Sequence, residues 1–502
     1  MKTGLSLIAL ALAAASPTIV YAQDKSADDK AKAEKPADYE PQVRTTKLSG
    51  TFGGQRINYA ATIGETIIKN KDGVPEVAVV TTSYVKEPRD PSRPITFLFN
   101  GGPGSGTVWL MMGAFGPKRV VIPGDGTDDG APPYPIVDNP DALLDVTDVV
   151  FIDPPGTGFS HLIGKADPKD YYGVTQDAKL VAEVIRRWLN DNGRWNSPKF
   201  LGGESYGTTR SAAVANELMN VTYNDVALNG IILISTVLDF AAGADTPGNE
   251  LSPITNLPSM AATALYHGKA TAPSVEGFVE EARQWAIGPY ASALLKGQKL
   301  QGEERAQIRR ELARFTGLSE TYLESADLRV TPNRFYKELL RDRGLTVGRL
   351  DSRYTGKDYD SAGEGPDNDP SFYGIDASYT AAINSWSRDG LGFKTTREYQ
   401  SIGRIGGQWD WRIGDRDSNS YLNVAPYIGQ ALRENSGLRV FVGQGYYDFA
   451  TPFFAAEYAL SRTGIPQDRI EYQYYGAGHM MYIRDEDRHK LSADIRAFIR
   501  GR

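Results

Sequence analysis

The 502-residue sequence contains no cysteine. This absence excludes disulfide bonds, a thiol nucleophile and cysteine metal ligands. Histidine is also scarce, and a reaction that needs an imidazole base has only four candidates: His161, His267, His479 and His489. There is no excess of positive charge, since the net charge is −7 with a pI near 5.4. Nothing therefore indicates a nucleic-acid partner.

The N-terminus carries the pattern of a targeting segment. The apolar run from Leu5 to Ala15 follows a lysine and is too short to span a membrane comfortably. Val20-Tyr21-Ala22 then offers an A-x-A-like cleavage site, so we predict a cleavable signal peptide over residues 1–22 and export to the periplasm or the medium. Residues 23–42 are rich in Lys, Asp, Ala and Pro and are predicted to form a disordered charged linker. No membrane association is expected after cleavage.

Strands and helices alternate along most of the remaining chain, which predicts a doubly wound, mostly parallel α/β sheet. Residues 240–400 break this rhythm and are predicted to be a mainly helical cap inserted between two parts of the α/β core, residues 43–239 and 401–502. The predicted strands are Ala78–Tyr84, Pro94–Asn100, Asp148–Asp153, Lys199–Gly202, Ile231–Ser235, Leu438–Val442 and Ile470–Tyr475. The predicted helices are Val174–Asn190 with Thr175 as N-cap, a helix from Thr208 onward, and Leu491–Arg500.

One serine has the surroundings of a nucleophile. Ser205 lies in the stretch G-E-S-Y-G, with a predicted strand before it and a predicted helix after it. This is the context that a G-x-S-x-G nucleophile elbow requires, because the glycines allow the sharp turn that exposes the hydroxyl above the sheet. The helix N-terminus also favours negative charge that develops near the serine.

A base and an acid follow in the chain order that this type of site uses. His479 comes directly after a predicted strand and a Gly-rich loop, whereas His489 lies among charges, His267 in the predicted cap, and His161 on a loop. Asp448 follows the preceding strand in the same way, so the order Ser…Asp…His is satisfied. We predict that Asp448 holds the tautomer of His479 and stabilises its imidazolium.

The oxyanion requires two N–H donors. One is predicted to be the backbone N–H of Tyr206, the residue after the serine. The second is predicted to be Gly102 in the stretch FNGGPGSG, which follows an earlier strand. This stretch has neither the G-K-[ST] ending of a P-loop nor the G-x-G-x-x-G spacing of a dinucleotide site.

The stretches FNGGPGSG, FIDPPGTGFS, GGESYG, YYDFATP and GAGHM together resemble the serine carboxypeptidase family, peptidase family S10, over about Pro94 to Tyr482. The resemblance implies an α/β-hydrolase fold and removal of C-terminal residues from peptides. By position it also implies that Asn100, Gly101 and Glu204 bind the free C-terminal carboxylate of the substrate. A glutamic acid donates a hydrogen bond to a carboxylate only when it is protonated, so such binding is favoured at low pH.

Two positions depart from the family pattern. The family usually carries a second glutamate shortly before the G-P that ends this block, but Ala114 stands there. The carboxyl pair is thus absent, which predicts a weaker acid preference or other groups around the substrate carboxylate. The family's cysteine after NGGPG is replaced by Ser105.

The sequence therefore predicts an exported serine-type carboxypeptidase that needs no metal or cofactor and acts on peptides with a free C-terminus. An esterase or acyltransferase with the same catalytic residues stays open, as does an inactive binding protein on the same scaffold. Side-chain preference and oligomeric state are not predicted. Several aromatic residues of the cap region either line a side-chain pocket or belong to the core: Trp285, Tyr290, Trp386, Trp409 and Trp411.

Overall fold

The computed structural model describes residues 39–219, 224–413, 421–462 and 464–501. The predicted signal peptide and most of the predicted linker therefore lie outside the described residues. The last linker residues contact the sheet, because the Tyr39 hydroxyl and the Gln42 N–H donate to the Glu65 carboxylate.

The strands, in chain order, are β1 (Val43–Phe52), β2 (Gln55–Lys69), β3 (Pro75–Glu87), β4 (Ile95–Phe99), β5 (Lys118–Val120), β6 (Ile136–Asp138), β7 (Asp148–Ile152), β8 (His161–Leu162), β9 (Lys199–Ser205), β10 (Gly230–Thr236), β11 (Thr346–Val347), β12 (Thr355–Gly356), β13 (Arg439–Gly445) and β14 (Ile470–Tyr475). A ten-stranded sheet has the order β1-β2-β3-β7-β4-β9-β10-β13-β14, with β8 paired to β3. The strands from β7 to β14 along this order are parallel, while β1, β2 and β3 pair antiparallel. This confirms the predicted α/β class with a mostly parallel sheet.

The helices are α1 (Val174–Asp191), α2 (Tyr206–Met219), α3 (Leu251–Tyr266), α4 (Val275–Trp285), α5 (Ala291–Lys296), α6 (Gly302–Thr316), α7 (Glu320–Ser325), α8 (Pro332–Glu338), α9 (Pro370–Tyr373), α10 (Asp376–Ser385), α11 (Ala425–Glu434), α12 (Phe453–Leu460) and α13 (Asp485–Arg500). The prediction of Thr175 as the N-cap of α1 is wrong. The N-cap is Gly173, two residues earlier, because the Gly173 carbonyl already accepts the N–H of Asp177.

Apolar side chains cover both faces of the sheet. β4, β7 and β10 are buried along their whole length, as expected for central parallel strands with helices on both sides. One apolar cluster joins the sheet to α1, α2 and α11, and another joins the opposite face to α10 and α13. The register places Phe99 at the end of β4 beside Gly203 of β9, so the loops that follow these two strands leave the sheet side by side.

Helices α3 to α10 lie between β10 and β13, together with the short hairpin of β11 and β12. Residues of α3 to α8 form an apolar cluster of their own, which also contacts Phe449 in the loop after β13. We propose that residues 240–400 act as a cap over the end of the sheet from which the loop after β13 leaves. The predicted domain boundaries stay a prediction.

Candidate active site

Ser205 lies at the junction of β9 and α2 in a strained conformation. Its φ is 61°, in the left-handed region that a residue with a side chain rarely adopts. Both flanking glycines are sterically required. A Cβ on Gly203 would lie 2.0 Å from the Gly207 carbonyl oxygen, and a Cβ on Gly207 would lie 2.8 Å from the Phe99 carbonyl oxygen. The G-x-S-x-G spacing thus lets α2 approach the sheet closely enough to form a nucleophile elbow.

Asp448 and His479 are brought together by the ends of neighbouring parallel strands. Asp448 follows β13 and His479 follows β14, and Asp448 Oδ2 lies 2.8 Å from His479 Nδ1. The other carboxylate oxygen of Asp448 accepts the backbone N–H groups of Ala450 and Thr451 at 2.8 and 3.0 Å, and the Thr451 hydroxyl donates to Oδ2 at 2.6 Å. These donors fix the carboxylate, and the carboxylate in turn favours the tautomer with the proton on Nδ1.

The charge of Asp448 sets the basicity of His479. Burial acts to lower the pKa of His479, but the adjacent carboxylate outweighs it and holds the pKa above the ordinary histidine value. An imidazole with Nδ1 bonded to a carboxylate leaves Nε2 as the atom that accepts a proton. His479 and Ser205 both line the same pocket.

Two backbone contacts of His479 were not predicted from the sequence. The Ser235 hydroxyl at the end of β10 donates to the His479 carbonyl at 2.6 Å, and the His479 N–H donates to the Leu350 carbonyl at 2.6 Å. Ser235 also has a left-handed φ of 51°. A serine at the end of the IILIS strand carries no local signal for this role, because its partner is distant in sequence.

The other three histidines have partners outside this pocket. His161 lies in β8, with Nε2 3.2 Å from the Tyr39 hydroxyl. His267 Nε2 lies 2.7 Å from the Ser352 carbonyl, and His489 Nδ1 lies 2.9 Å from Asp141. Among the histidines in the described residues, only His479 lines the pocket.

Glu204 and Asn100 form a buried pair beside Ser205. Their exposed fractions are 3% and 1%, and Asn100 Nδ2 donates to Glu204 Oε1 at 2.8 Å. The side-chain oxygen of Asn100 accepts the Leu110 N–H at 3.2 Å, which fixes the orientation of the amide. Both residues line the pocket together with Gly101, so the structure brings the three predicted carboxylate-binding residues together.

Tyr482 is the second hydrogen-bond donor to the carboxyl group of Glu204. Its hydroxyl donates to Glu204 Oε2 at 2.6 Å, and its ring lies against Gly113, next to Ala114. Although no second carboxyl group is paired with Glu204, both of its oxygens have hydrogen-bond partners. Asn100 binds one oxygen, and the neutral phenol of Tyr482 binds the other. Tyr482 comes three residues after His479 in the sequence, and its role was not predicted.

Burial controls the protonation of Glu204. Desolvation disfavours the carboxylate and raises the pKa of Glu204 to about 7, against the opposing influence of His479 and of the hydrogen bonds from Tyr482 and Asn100. Near neutral pH this side chain therefore exists in both forms. Only the protonated form has a hydrogen to donate to a carboxylate.

The Gly-rich loop after β4 is held against the elbow. A Cβ on Gly101 would lie 2.5 Å from the backbone nitrogen of Tyr206, so the loop runs directly beside the start of α2. The Asn100 carbonyl accepts Arg210 Nη1 at 2.5 Å, and this arginine is itself paired with Asp177 at 2.6 Å in the core. Gly102 lines the pocket next to Ser205, while the side chain of Tyr206 is buried.

The stretch FIDPPGTGFS supports the far end of this loop. Asp153 Oδ1 accepts both the N–H and the hydroxyl of Thr107 at 2.8 Å, and the Tyr399 hydroxyl donates to the same oxygen at 3.1 Å. Gly102, one of the two predicted oxyanion donors, thus lies on a loop that is anchored on both sides.

The pocket around Ser205 has a volume of about 390 Å³. Its walls are mostly apolar, with a few polar groups and one arginine in the same lining as Ser205 and His479, as is usual for a small-molecule or peptide site. The lining residues are Asn100, Gly101, Gly102, Ser105, Trp109, Glu204, Ser205, Arg349, Leu350, Asp369, Phe372, Ile402, Ala450, His479 and Met480.

The aromatic residues that the sequence singled out in the cap region are absent from this lining. Trp285 and Tyr290 stack on each other in the apolar cluster of the cap, with 5.1 Å between ring centroids. Trp409 and Trp411 pack against the ring of Tyr206, at 5.5 and 5.8 Å. The pocket's own aromatic walls, Trp109 and Phe372, were not predicted.

A comparison with known families agrees with this geometry. The serine carboxypeptidase model of peptidase family S10 matches residues 83–255, which include the Gly-rich loop and the elbow. This segment of the chain is similar to the serine carboxypeptidases. The match confirms the resemblance for this segment and identifies the enzyme as a serine carboxypeptidase-type hydrolase. No curated protein matches the sequence.

The chain is similar to solved structures at low sequence identity. A prohormone-processing carboxypeptidase of Saccharomyces cerevisiae, Kex1Δp, is 14% identical, with 88% of this chain and 90% of that chain covered and a TM-score of 0.52. An epoxide hydrolase of Aspergillus niger is 11% identical, with 88% and 78% covered and a TM-score of 0.34. The likeness to the yeast enzyme shows the α/β-hydrolase fold.

Two features are absent from the described residues. No helix there combines the length and apolar character needed to cross a membrane. No group of three or more His, Asp or Glu side chains there is arranged to hold a metal ion.

Proposed function

We propose that this protein is an exported serine carboxypeptidase that hydrolyses the last peptide bond of its substrates through an acyl-enzyme on Ser205. The observation that carries the proposal is one pocket that combines a serine on a nucleophile elbow, the Asp448–His479 pair and the buried Glu204–Asn100 pair. The first two supply acyl-transfer chemistry, and the third supplies a means of recognising a free C-terminus.

In the first half of the proposed reaction, Ser205 Oγ attacks the carbonyl carbon of the last peptide bond, and His479 Nε2 takes the hydroxyl proton. The backbone N–H groups of Gly102 and Tyr206 stabilise the oxyanion. As the tetrahedral intermediate breaks down, His479 gives the proton to the departing amine. The C-terminal amino acid leaves, and the remaining peptide stays as an ester on Ser205.

In the second half, water attacks the ester carbonyl while His479 takes one of its protons. The same oxyanion donors act again, and the proton returns to Ser205 as the shortened peptide leaves with a new carboxylate. Asp448 stays ionised throughout, since its role is to orient the imidazole and stabilise the imidazolium.

Protonated Glu204, the side chain of Asn100 and the backbone of Gly101 hold the C-terminal carboxylate of the substrate. Binding of a carboxylate beside Glu204 further favours its protonated form. As pH rises above about 7, Glu204 loses its donor hydrogen and becomes negative. The substrate carboxylate is then repelled, so KM rises with pH.

Export rests on the N-terminal pattern of residues 1–22, which lies outside the described residues. Edman sequencing or mass spectrometry of the protein recovered from its host tests this part. A mature N-terminus at Gln23 in the exported fraction supports the proposal, and an intact Met1 in that fraction contradicts it.

The central test compares a blocked dipeptide as its free acid and as its C-terminal amide, between pH 4 and 8. A carboxypeptidase prefers the free acid, and this preference fades as pH rises. Asn100→Ala should reduce the preference for the free acid, because it removes a donor from the carboxylate site and one of the two side-chain donors to Glu204. Equal rates on acid and amide would favour an esterase or a broader peptidase. Loss of fluorophosphonate labelling in Ser205→Ala shows that the label reports on this serine.

A further inference from the structure

Arg349 introduces a permanent positive charge at the pocket that holds Ser205 and His479. It lies in the cap region between β11 and β12, and its neighbour Leu350 accepts the backbone N–H of His479. The backbone of Arg349 is fixed on both sides: its N–H donates to Asp369 Oδ1 at 3.0 Å, and its carbonyl accepts the N–H of Phe449 at 3.1 Å.

The guanidinium of Arg349 has no hydrogen-bond or ion-pair partner among the described residues. The nearby carboxylate of Asp369 is occupied by other donors: the N–H groups of Arg349, Leu350 and Ser371, and the Ser371 hydroxyl. These bonds orient Asp369 as the cap of a short helix and do not involve the charged end of Arg349. The arginine side chain is exposed, so its charge is available to a bound molecule.

The position of Arg349 relative to the reaction indicates which part of a substrate it meets. His479 delivers its proton to the departing amine, so the departing residue lies on the His479 side of Ser205. Arg349 lies on the same side. Its neighbour Leu350 accepts the N–H of His479, and its own carbonyl accepts the N–H of Phe449, the residue after Asp448. The carboxylate of the departing residue is assigned to Glu204 and Asn100, which leaves the side chain of that residue to meet Arg349.

We propose that Arg349 binds the acidic side chain of the departing residue, so that the enzyme preferentially releases C-terminal glutamate or aspartate. This inference rests on the proposed carboxypeptidase function and names its substrate class. A planar guanidinium with five donors matches a carboxylate well. Leu350, Phe372 and Met480 of the pocket wall carry no charge, and the carboxylate of Asp369 in the same wall already accepts four hydrogen bonds. A lysine or arginine in the departing position is repelled.

The test uses blocked dipeptides that differ only in the charge of the last residue: Phe-Glu, its neutral isostere Phe-Gln, and Phe-Lys. At pH 5.5 the glutamate side chain is ionised, while Glu204 with a pKa of about 7 stays mostly protonated. The readout is the ratio of kcat/KM for Phe-Glu to that for Phe-Gln. We expect a ratio of about five or more in the wild type, because a charge-assisted bond at a half-enclosed site is typically of that size.

Arg349→Gln should bring this ratio to about one, and Arg349→Lys should keep part of it. Arg349→Glu should reverse the preference, so that Phe-Lys is cleaved faster than Phe-Glu. The matched control is Arg89→Gln, which removes one exposed positive charge outside the pocket and should keep the wild-type ratio. Added salt should lower the wild-type ratio, since the pair is accessible to solvent ions.

Three results would overturn the assignment. The first is a wild-type ratio near one. The second is an equal loss on Phe-Glu and Phe-Gln in Arg349→Gln, which would place the arginine on the terminal carboxylate. The third is an Arg349-dependent preference for Glu-Phe over Gln-Phe, which would place it on the other side of the bond. Failure of the proposed function is distinguishable, because no peptide would then release its last residue although Ser205 is labelled by a fluorophosphonate.

Discussion

Replacing Glu204 by glutamine tests the physical origin of the predicted pH dependence. The pKa of Glu204 is raised from 4.5 to about 7, chiefly by burial. The neutral form thus dominates below pH 7, and at pH 8 only about one molecule in ten keeps the donor hydrogen. Only the protonated fraction binds a free C-terminus well, and it is about one half at pH 7, so KM for a free-acid substrate should rise about fivefold between pH 7 and 8. Glutamine is neutral at every pH, so Glu204→Gln should flatten this rise.

The same shift predicts a change in stability. A group whose pKa is higher in the folded state stabilises the fold below its unfolded pKa and loses that contribution as pH rises through the folded value. For Glu204 the window runs from 4.5 to about 7, and the loss is about 3 kcal/mol. In a chain of this size, that corresponds to about 3 °C in Tm. The Tm of Glu204→Gln minus that of the wild type should therefore increase by about this amount between pH 4 and 8.

Steady-state kinetics on a blocked free-acid dipeptide and thermal melts at each pH measure the two effects. Glu457→Gln is the matched control, because Glu457 is another largely buried glutamate with a raised pKa, paired with Arg283 and Tyr474 outside the pocket. It should leave the alkaline rise of KM in place. If Glu204→Gln shows the same rise as the wild type, another group controls binding, and the carboxylate role of Glu204 is wrong.

Three further substitutions probe the rest of the site. Tyr482→Phe removes a hydrogen bond that favours the ionised form, so the pKa of Glu204 should increase and the alkaline rise of KM should move to higher pH; a move to lower pH would contradict this. Asp448→Asn should lower kcat by about 10⁴-fold with a smaller effect on KM, because the imidazole loses its tautomer control, whereas a fall below tenfold would exclude Asp448 from this role. Gly207→Ala should abolish fluorophosphonate labelling, because the added methyl group meets the Phe99 carbonyl, and full labelling would show that the elbow tolerates it.

The elements of the sheet near the site were predictable because each carries its own local signal. Buried parallel strands are short apolar runs bounded by Gly and Pro, and β4, β7, β10 and β14 are found within one residue of the predicted strands. The long antiparallel strands β1 and β2 were not predicted. Their side chains alternate between exposed and buried positions only in part, and their partner strands are set by tertiary contacts that the sequence does not display.

The residues of the candidate site also fall into two groups, those that the sequence predicts and those that only the structure reveals. Ser205 ends a strand, and Asp448 and His479 each follow one, so the topology of a parallel sheet suffices to bring the three residues to one edge. Tyr482 and Ser235 contact residues distant in sequence, and Arg349 lines the pocket from the cap region. No spacing rule connects a tyrosine after β14 to a glutamate before Ser205, since their contact depends on how the loop after β14 packs against Gly113. Such partners become visible only when the side chains are placed.

The family pattern pairs the residue at position 204 with a second carboxyl group, whereas here Glu204 is bonded to Tyr482. This difference affects the pH range in which Glu204 stays protonated. A second carboxyl group next to Glu204 would raise the pKa of the pair further, because two like charges resist ionisation at close range. A tyrosine hydroxyl carries no charge in this range, since burial raises the pKa of Tyr482 well above its ordinary value. Its hydrogen bond instead opposes the effect of burial on Glu204. Ala114→Glu, which introduces a carboxyl group at the position of the family's second glutamate, should therefore shift the alkaline limit of free-acid hydrolysis upward, and an unchanged limit would show that Glu204 titrates independently of residue 114.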